Sequence, residues 1–402
     1  AGALTGHTDT VNSVAFAPDG RTLATASADD TVILWNLTDP AQPQRLGQPL
    51  TGHTDQVHSL AFAPDGRTLA TAGNDTRVIL WDLANPAQPQ RLGQPLTTHP
   101  LGVLSVAFAP DGRTLVTASA DTTVILWDLT NPAQPQRLGQ PLTGHTGIVF
   151  AVAFAPDGRT LATGSEDHTV ILWDVANPAQ PQRLGQPLTH TDWVSSVAFA
   201  PDGRTLAAVD GSTVILWDVI NPAQPQRLGQ PLTGHSNAVL NVVYSVAFAP
   251  DGRTLATASD DTTVILWDVA DPTQPQRLGQ PLTAHTGTVS SVAFSRNGRT
   301  LATAGNTMVI LWDLTDLVQP QRLGQPLTAH VGNALTVAFS PDGRTLATAG
   351  QDRTAILWNL TSFNHLRDHA AERACSIARG GLDRDEWDRY IPGLPYQDTC
   401  SG

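Results

Sequence analysis

Apolar positions in this chain form short, nearly continuous runs separated by tight polar turns, and the runs repeat. From residue 11 the order is VNSVAFA, a Pro-Asp-Gly-Arg turn at 18–21, TLATAS (22–27), a second turn at 28–30 and TVILWNL (31–37). A proline-rich polar loop and RLGQPL (45–50) complete the unit. Short runs rich in small and β-branched residues, bounded by turn residues, predict strands. Their continuous rather than alternating apolarity predicts a sheet buried on both faces. Pro49 offers no N–H to a central ladder, so the fourth strand belongs at an outer edge. That proline recurs at 95, 141, 187, 231, 281 and 326. The tryptophan ending the third run recurs at 35, 81, 127, 173, 217, 267, 312 and 358, at intervals of 46, 46, 46, 44, 50, 45 and 46 residues. A four-stranded sheet that is apolar on both faces cannot bury itself. Eight copies stacked radially can, so the fold class is all-β, an eight-bladed propeller over residues 1–361.

Closure follows from counting strands. Eight copies of the first three runs exist but only seven of RLGQPL, and the chain after Trp358 has none. Gly2-Ala3-Leu4-Thr5 matches the QPLT of the other units and is expected to supply the missing strand. Because the chain begins inside a unit, it reads as part of a longer protein, whose preceding residues would extend that strand.

Composition narrows function mainly by exclusion. The formal charge is −13 and all 23 basic residues are arginine, dispersed rather than clustered, which argues against a nucleic-acid face. There is no apolar stretch of membrane-spanning length, and the first residues lack the features of a secretory leader. A cytoplasmic location without membrane contact is therefore expected. No GxSxG, Walker or HExxH motif occurs, and histidines one blade apart do not have metal-ligand spacing. The expectation is no metal, no cofactor and no catalytic residue.

Gly6-His7, Thr25, Asp29 and Trp35-Asn36, recurring eight times, resemble the WD40 repeat over about nine-tenths of the chain. The resemblance implies a hydrogen-bonded tetrad inside each blade. The first set is His7, Thr25, Asp29 and Trp35; the second is His53, Thr71, Asp75 and Trp81. The third is His99, Thr117, Asp121 and Trp127; the fourth is His145, Thr163, Asp167 and Trp173. Blade six offers His235, Thr257, Asp261 and Trp267, and blade eight offers His330, Thr348, Asp352 and Trp358. Recurrent His, Asp and Thr could imitate a hydrolase triad, but groups that satisfy one another inside a sheet stack are poor nucleophiles. Two blades depart from the pattern. Blade five has Ala208 in the threonine position and a shortened turn that brings Asp210 one place early. Blade seven has Asn306 in the aspartate position. Both are expected to be soft. His58, His168, His365 and His369 fall outside the tetrads and are read as solvated.

The copies differ mainly just after the histidine and around the second turn, places that the resemblance puts together on the top face. Third after the histidine stand Gln56, Ile148 and Trp193 in blades two, four and five; fifth after it stand His58, Leu104, Phe150 and Leu240. Blade six adds a four-residue insertion ending near Tyr244. These eight residues form the candidate partner site, because clustered exposed aromatic and aliphatic side chains mark protein contacts. The lower face, with its Asp-Gly-Arg turns, is read as solvated local ion pairs. The resulting expectation is a non-catalytic interaction or sensing propeller that binds a protein or peptide. The alternative is a scaffold acting through the lower face or the tail.

Residues 362–402 change character and predict a helical extension packed on the propeller. Residues 363–378 read as one helix, with Leu366, Ala370, Ala374 and Ile377 in a stripe, and residues 382–390 as another capped by Asp383. Trp387 and Tyr390 are the expected anchors. Cys375 and Cys400 are read as reduced thiols, with a disulfide as the alternative. The segment resembles the tail of large bacterial WD40 proteins, in which the propeller accompanies a signalling domain such as a STAND-type NTPase, a kinase or a protease. Other domains of the same protein are thus expected partners.

Overall fold

The computed structural model describes residues 2–235, 242–361, 383–390, 393 and 396. Its strands form eight four-stranded antiparallel sheets, seven of them in simple sequential order. In blade one these are Val11–Phe16, Thr22–Ser27, Val32–Asn36 and Gln44–Leu50. The fourth strand is outermost and its side chains are largely exposed, while the second strand is buried throughout. The eighth sheet closes the ring by pairing Gly2, Ala3 and Leu4 with Leu357, Ile356 and Ala355.

Packing between blades is a match of small against large. Thr22–Ser27 alternates Leu23 with Ala24 and Ala26, so one face is bulky and the other nearly flat. Ala24, Ala26, Val32 and Leu34 of blade one meet Leu69, Ile79 and Trp81 of blade two in one apolar cluster. The same match recurs across the closing seam, where Ala347, Ala349 and Leu357 meet Leu23, Ile33 and Trp35. Each tryptophan therefore fills a joint between blades, and dense complementary contact of this kind fixes the ring.

The outer strand carries a built-in irregularity. Leu34 pairs with Leu46 and Val32 with Leu50, so the intervening residues bulge around Gly47, whose φ is 64°. A Cβ there would lie 2.9 Å from the Ala87 carbonyl oxygen of the next blade. Glycine is required on both counts, which accounts for the sameness of LGQP among the copies.

Blade seven departs from the expected pattern. Its outer strand was expected to run through Pro326, but only Gln321–Arg322 pairs regularly, with a single bridge from Val309 to Leu327. Leu323 turns into the core beside Trp387, and Gly324 donates its N–H to the Gly393 carbonyl. The tail thus competes for the edge that the ladder would have used. The inner strand of blade five is also reduced, to Val197–Phe199.

In the tail, a helix spans Arg384–Tyr390. Asp383 accepts the Glu386 amide at 2.8 Å and Glu386 accepts the Asp383 amide at 3.2 Å, a reciprocal capping box. Trp387 is fully buried against Leu323, Trp358 and Leu360, and Tyr396 meets it edge-on at 5.7 Å. The helix expected at 363–378, Leu240, both cysteines and the Tyr390 side chain lie outside the described residues.

Candidate functional site: the top face and the tetrads beneath it

Hydrogen bonds define the two ends of each blade. Ala28 donates to the Thr10 carbonyl at one end, and Leu37 to the Arg21 carbonyl at the other. The post-histidine segment and the second turn therefore share the top face, with the Pro-Asp-Gly-Arg turns below.

Under the top face the tetrads form one relay each. In blade one, Trp35 Nε1 lies 3.1 Å and His7 Nε2 2.8 Å from Thr25 Oγ1, and His7 Nδ1 lies 3.0 Å from Asp29. The carboxylate needs a donor, which places the proton on Nδ1 and leaves Nε2 to accept from the threonine hydroxyl. That hydroxyl in turn accepts from the tryptophan. The same chain links the four named residues in blades two, three, four, six and eight, with His–Asp distances of 2.7–3.0 Å. Burial holds His7, His99 and His145 below the ordinary imidazole range despite the neighbouring carboxylates, in keeping with a neutral ring. Burial also disfavours the Asp29 and Asp167 carboxylates, yet hydroxyl and backbone donors outweigh it and hold them low.

Two blades lack the complete relay. In blade five Ala208 provides no hydroxyl, and both ring nitrogens of His190 and the Trp217 Nε1 are buried without partners. Asp210 instead accepts from the Thr191 amide (2.8 Å) and hydroxyl and from the Asp192 amide (2.7 Å). In blade seven the sequence reading needs correction. Gly305 pairs with Met308, so Asn306-Thr307 forms a two-residue hairpin, shortened like that of blade five, and Asn306 is not in the aspartate's place. Asn306 donates to Thr286, while His285 keeps its threonine at 2.8 Å but has an unpartnered Nδ1. The other blades use three-residue turns whose last residue has positive φ, such as Asp30 at 66°.

Residues at the Asn12 position reach toward the following blade: Asn12 donates to the Val57 carbonyl, and Ser195 lies 3.5 Å from that of Val243. Phe150 occupies this position in blade four and meets Trp193 of blade five, with ring centroids 6.3 Å apart and planes inclined at 38°. Trp193 is 53% exposed and Tyr244 40%, whereas His58, Leu104, Ile148 and Phe150 are half-buried and Gln56 is exposed. Strand register changes one assignment. Val243 pairs with Ser259 as Val11 does with Ser27, so Tyr244, not Leu240, is the blade-six counterpart of Asn12 and Phe150. Burial and the Asp260 charge raise the Tyr244 phenol above its ordinary value. Sequence reasoning passed over exposed Leu101 and Val331 on this face. They stand second and first after the histidine, where other blades carry Asp9 or Thr8, so comparing those columns would have found them.

Among the described residues no cluster of three potential metal ligands occurs, and no helix is long and apolar enough to cross a membrane. The family model for the WD domain, G-beta repeat, matches residues 1–36, 44–82, 90–128, 136–174, 182–218, 226–268, 276–313 and 321–359. The chain is also similar to the NAD(+) hydrolase ApTIR of Actinoplanes sp., 54% identical over 48 residues, which are 12% of this chain and 7% of that protein. With eight matches on eight observed blades, the chain belongs to the WD40 repeat family, whose propellers typically mediate protein interactions and are generally non-catalytic.

Proposed function

We propose that this propeller is the non-catalytic interaction module of a larger bacterial signalling or defence protein and binds a protein or peptide through its top face. The Phe150–Trp193 pair carries this reading: an aromatic contact between two blades at columns where the copies diverge, with Trp193 half in solvent. Gln56, His58, Leu104, Ile148 and Tyr244 extend the surface around the ring. Similarity over 48 residues to part of an NAD(+) hydrolase supports a multidomain setting. Selection from a random displayed-peptide library tests the assignment. Selected peptides should bind this chain and fail to bind the Phe150→Ala/Trp193→Ala/Tyr244→Ala variant, whose thermal unfolding stays unchanged. Equal binding to both would refute it.

A scaffold role for the lower face has its own support, since Ile220 and Val318 expose 61% and 56% of their surface in the lower loops. If these side chains join copies or domains, Ile220→Asp with Val318→Asp would lower the mass measured by light scattering.

A further inference from the structure

Charge on this propeller is segregated by position. The chain contains no lysine, and its arginines recur in the lower Pro-Asp-Gly-Arg turns and at the start of the outer strands. The top loops of blades three to six contain no arginine, while each blade contributes carboxylates there. Some are occupied by tetrad histidines, but three stand at the aromatic surface. Glu166 lies beside Ile148, its carboxylate 3.3 Å from the Ile148 amide. Asp192 precedes Trp193 and accepts its amide at 2.7 Å. Asp260 is 7% exposed and one of its carboxylate oxygens has no partner, an expensive arrangement for a buried charge.

These groups form one arc. Phe150 meets Trp193, and Asp192 lies against Gly211. The Gly211 carbonyl accepts the Val243 amide at 2.8 Å, and Val243 leads directly to Tyr244, the neighbour of Asp260. The result is a strip in which half-buried Phe150 and exposed Trp193 and Tyr244 are flanked by carboxylates, with no lysine or arginine in its loops.

Resting on the top-face reading above, we propose that the partner presents an arginine-bearing basic segment to this arc over blades four to six. A guanidinium is planar, so it stacks on the Trp193 indole while its N–H fork reaches Asp192 or Glu166, and the buried Asp260 carboxylate adds negative potential beneath them. Lysine supplies the charge without the plane or the fork and therefore binds less well.

The test uses the whole chain and a labelled short peptide of alternating arginine and leucine, followed by fluorescence anisotropy. Peptides with lysine, citrulline or glutamate in place of arginine serve as comparisons. The arginine peptide should bind best, weaken as salt rises, and lose about tenfold in affinity on Trp193→Ala or Asp192→Asn, in line with a cation–π contact and a close ion pair. Asp65→Asn with Asp111→Asn removes charge from the lower face and keeps those turns, so affinity should change less than about twofold for exposed, screened groups. Equal losses from the two faces would reveal general attraction to an acidic chain and overturn the proposal, as would equally tight binding of the glutamate peptide. Library peptides that depend on Phe150, Trp193 and Tyr244 yet carry no positive charge would overturn it while leaving the top-face reading standing. Arginine-rich library peptides indifferent to those three side chains would overturn both.

Discussion

Replacing Thr163 by valine tests what the tetrad hydroxyl does. Valine keeps the shape and removes the one oxygen on which two buried groups depend. Thr163 Oγ1 lies 2.7 Å from His145 Nε2 and accepts from Trp173 Nε1 at 3.1 Å. Both would then be left unpaired where water does not reach, at about 1–3 kcal/mol each, so Thr163→Val should cost roughly 2–6 kcal/mol. Blade five already exists in that condition, with His190 and Trp217 unpartnered around Ala208. The reverse change, Ala208→Thr, restores the hydroxyl to a site whose neighbours match those of the other blades, and should stabilise by about 1–2 kcal/mol. Equilibrium unfolding in guanidinium, followed by circular dichroism and by tryptophan fluorescence, measures both. Midpoints convert to energies only where the two probes coincide and the slope is unchanged. A cost below about 0.5 kcal/mol for Thr163→Val would show that the relay is incidental to the packing around it.

Acid should act first on the defective blades. Burial lowers His190 and His285 to about 4, from an ordinary value of 6.5. The unfolded chain therefore takes up protons that the folded one refuses between those values. Stability is full above about pH 6.5 and falls as pH drops toward 4, by up to about 3 kcal/mol per histidine. His285→Gln cannot titrate, so its plot of Tm against pH should be flatter than that of the parent chain; an unchanged slope would exclude His285 as a source. At the closing seam, Leu4 is 2% exposed within the only strand pairing the outer edge of Ala355–Asn359 among the described residues. Leu4→Ala should cost about 2–4 kcal/mol of global stability in thermal unfolding. Trp387→Ala empties a fully buried position and should release about 3–5 kcal/mol of tail docking, seen as faster proteolysis after residue 361 with the propeller intact.

The ring was legible because its determinants are local and repeated. Turn residues, a proline confined to the outer strand and an alternation of leucine with alanine are all visible in a single unit, and eight copies remove the ambiguity. The edge of blade seven was not legible, since its QRLGQP is identical to that of the other blades. What differs is Leu317-Val318 in place of Pro40-Ala41 of blade one, just before the strand, and the tail side chain Trp387, some sixty residues later, that packs against Leu323. Blade seven's hairpin was misread for another reason. Asn306 resembles the aspartate chemically, which masked the one-residue shortening between Thr303 and Trp312 that the strand register places in the turn. The Phe150–Trp193 contact lay between these extremes. Both residues stood in divergent columns, but their meeting depends on the Asn12 position reaching across to the next blade, a direction set by the bulge between Val149 and Ala151.

Blade five joins the weakest tetrad to the most exposed tryptophan, and one residue links the two. The shortened turn moves its aspartate to the position held by Ser27 in blade one, beyond hydrogen-bonding distance of His190. There Asp210, 4% exposed, accepts the two amides that lead into Trp193. The carboxylate that stabilises a histidine elsewhere here fixes the loop bearing the aromatic surface. If so, Asp210→Ser, which restores the residue of blade one, should free that loop. Loss of two hydrogen bonds to a buried carboxylate amounts to roughly 3 kcal/mol of local order. Trp193 would become more accessible to acrylamide, measured as the difference in quenching between each protein and its Trp193→Phe counterpart. Affinity for a top-face peptide should fall, while Ala208→Thr alone should leave that quenching unchanged. Should Asp210→Ser leave both quenching and affinity intact, the loop would owe its shape to packing, and the defect in blade five would have no bearing on the surface above it.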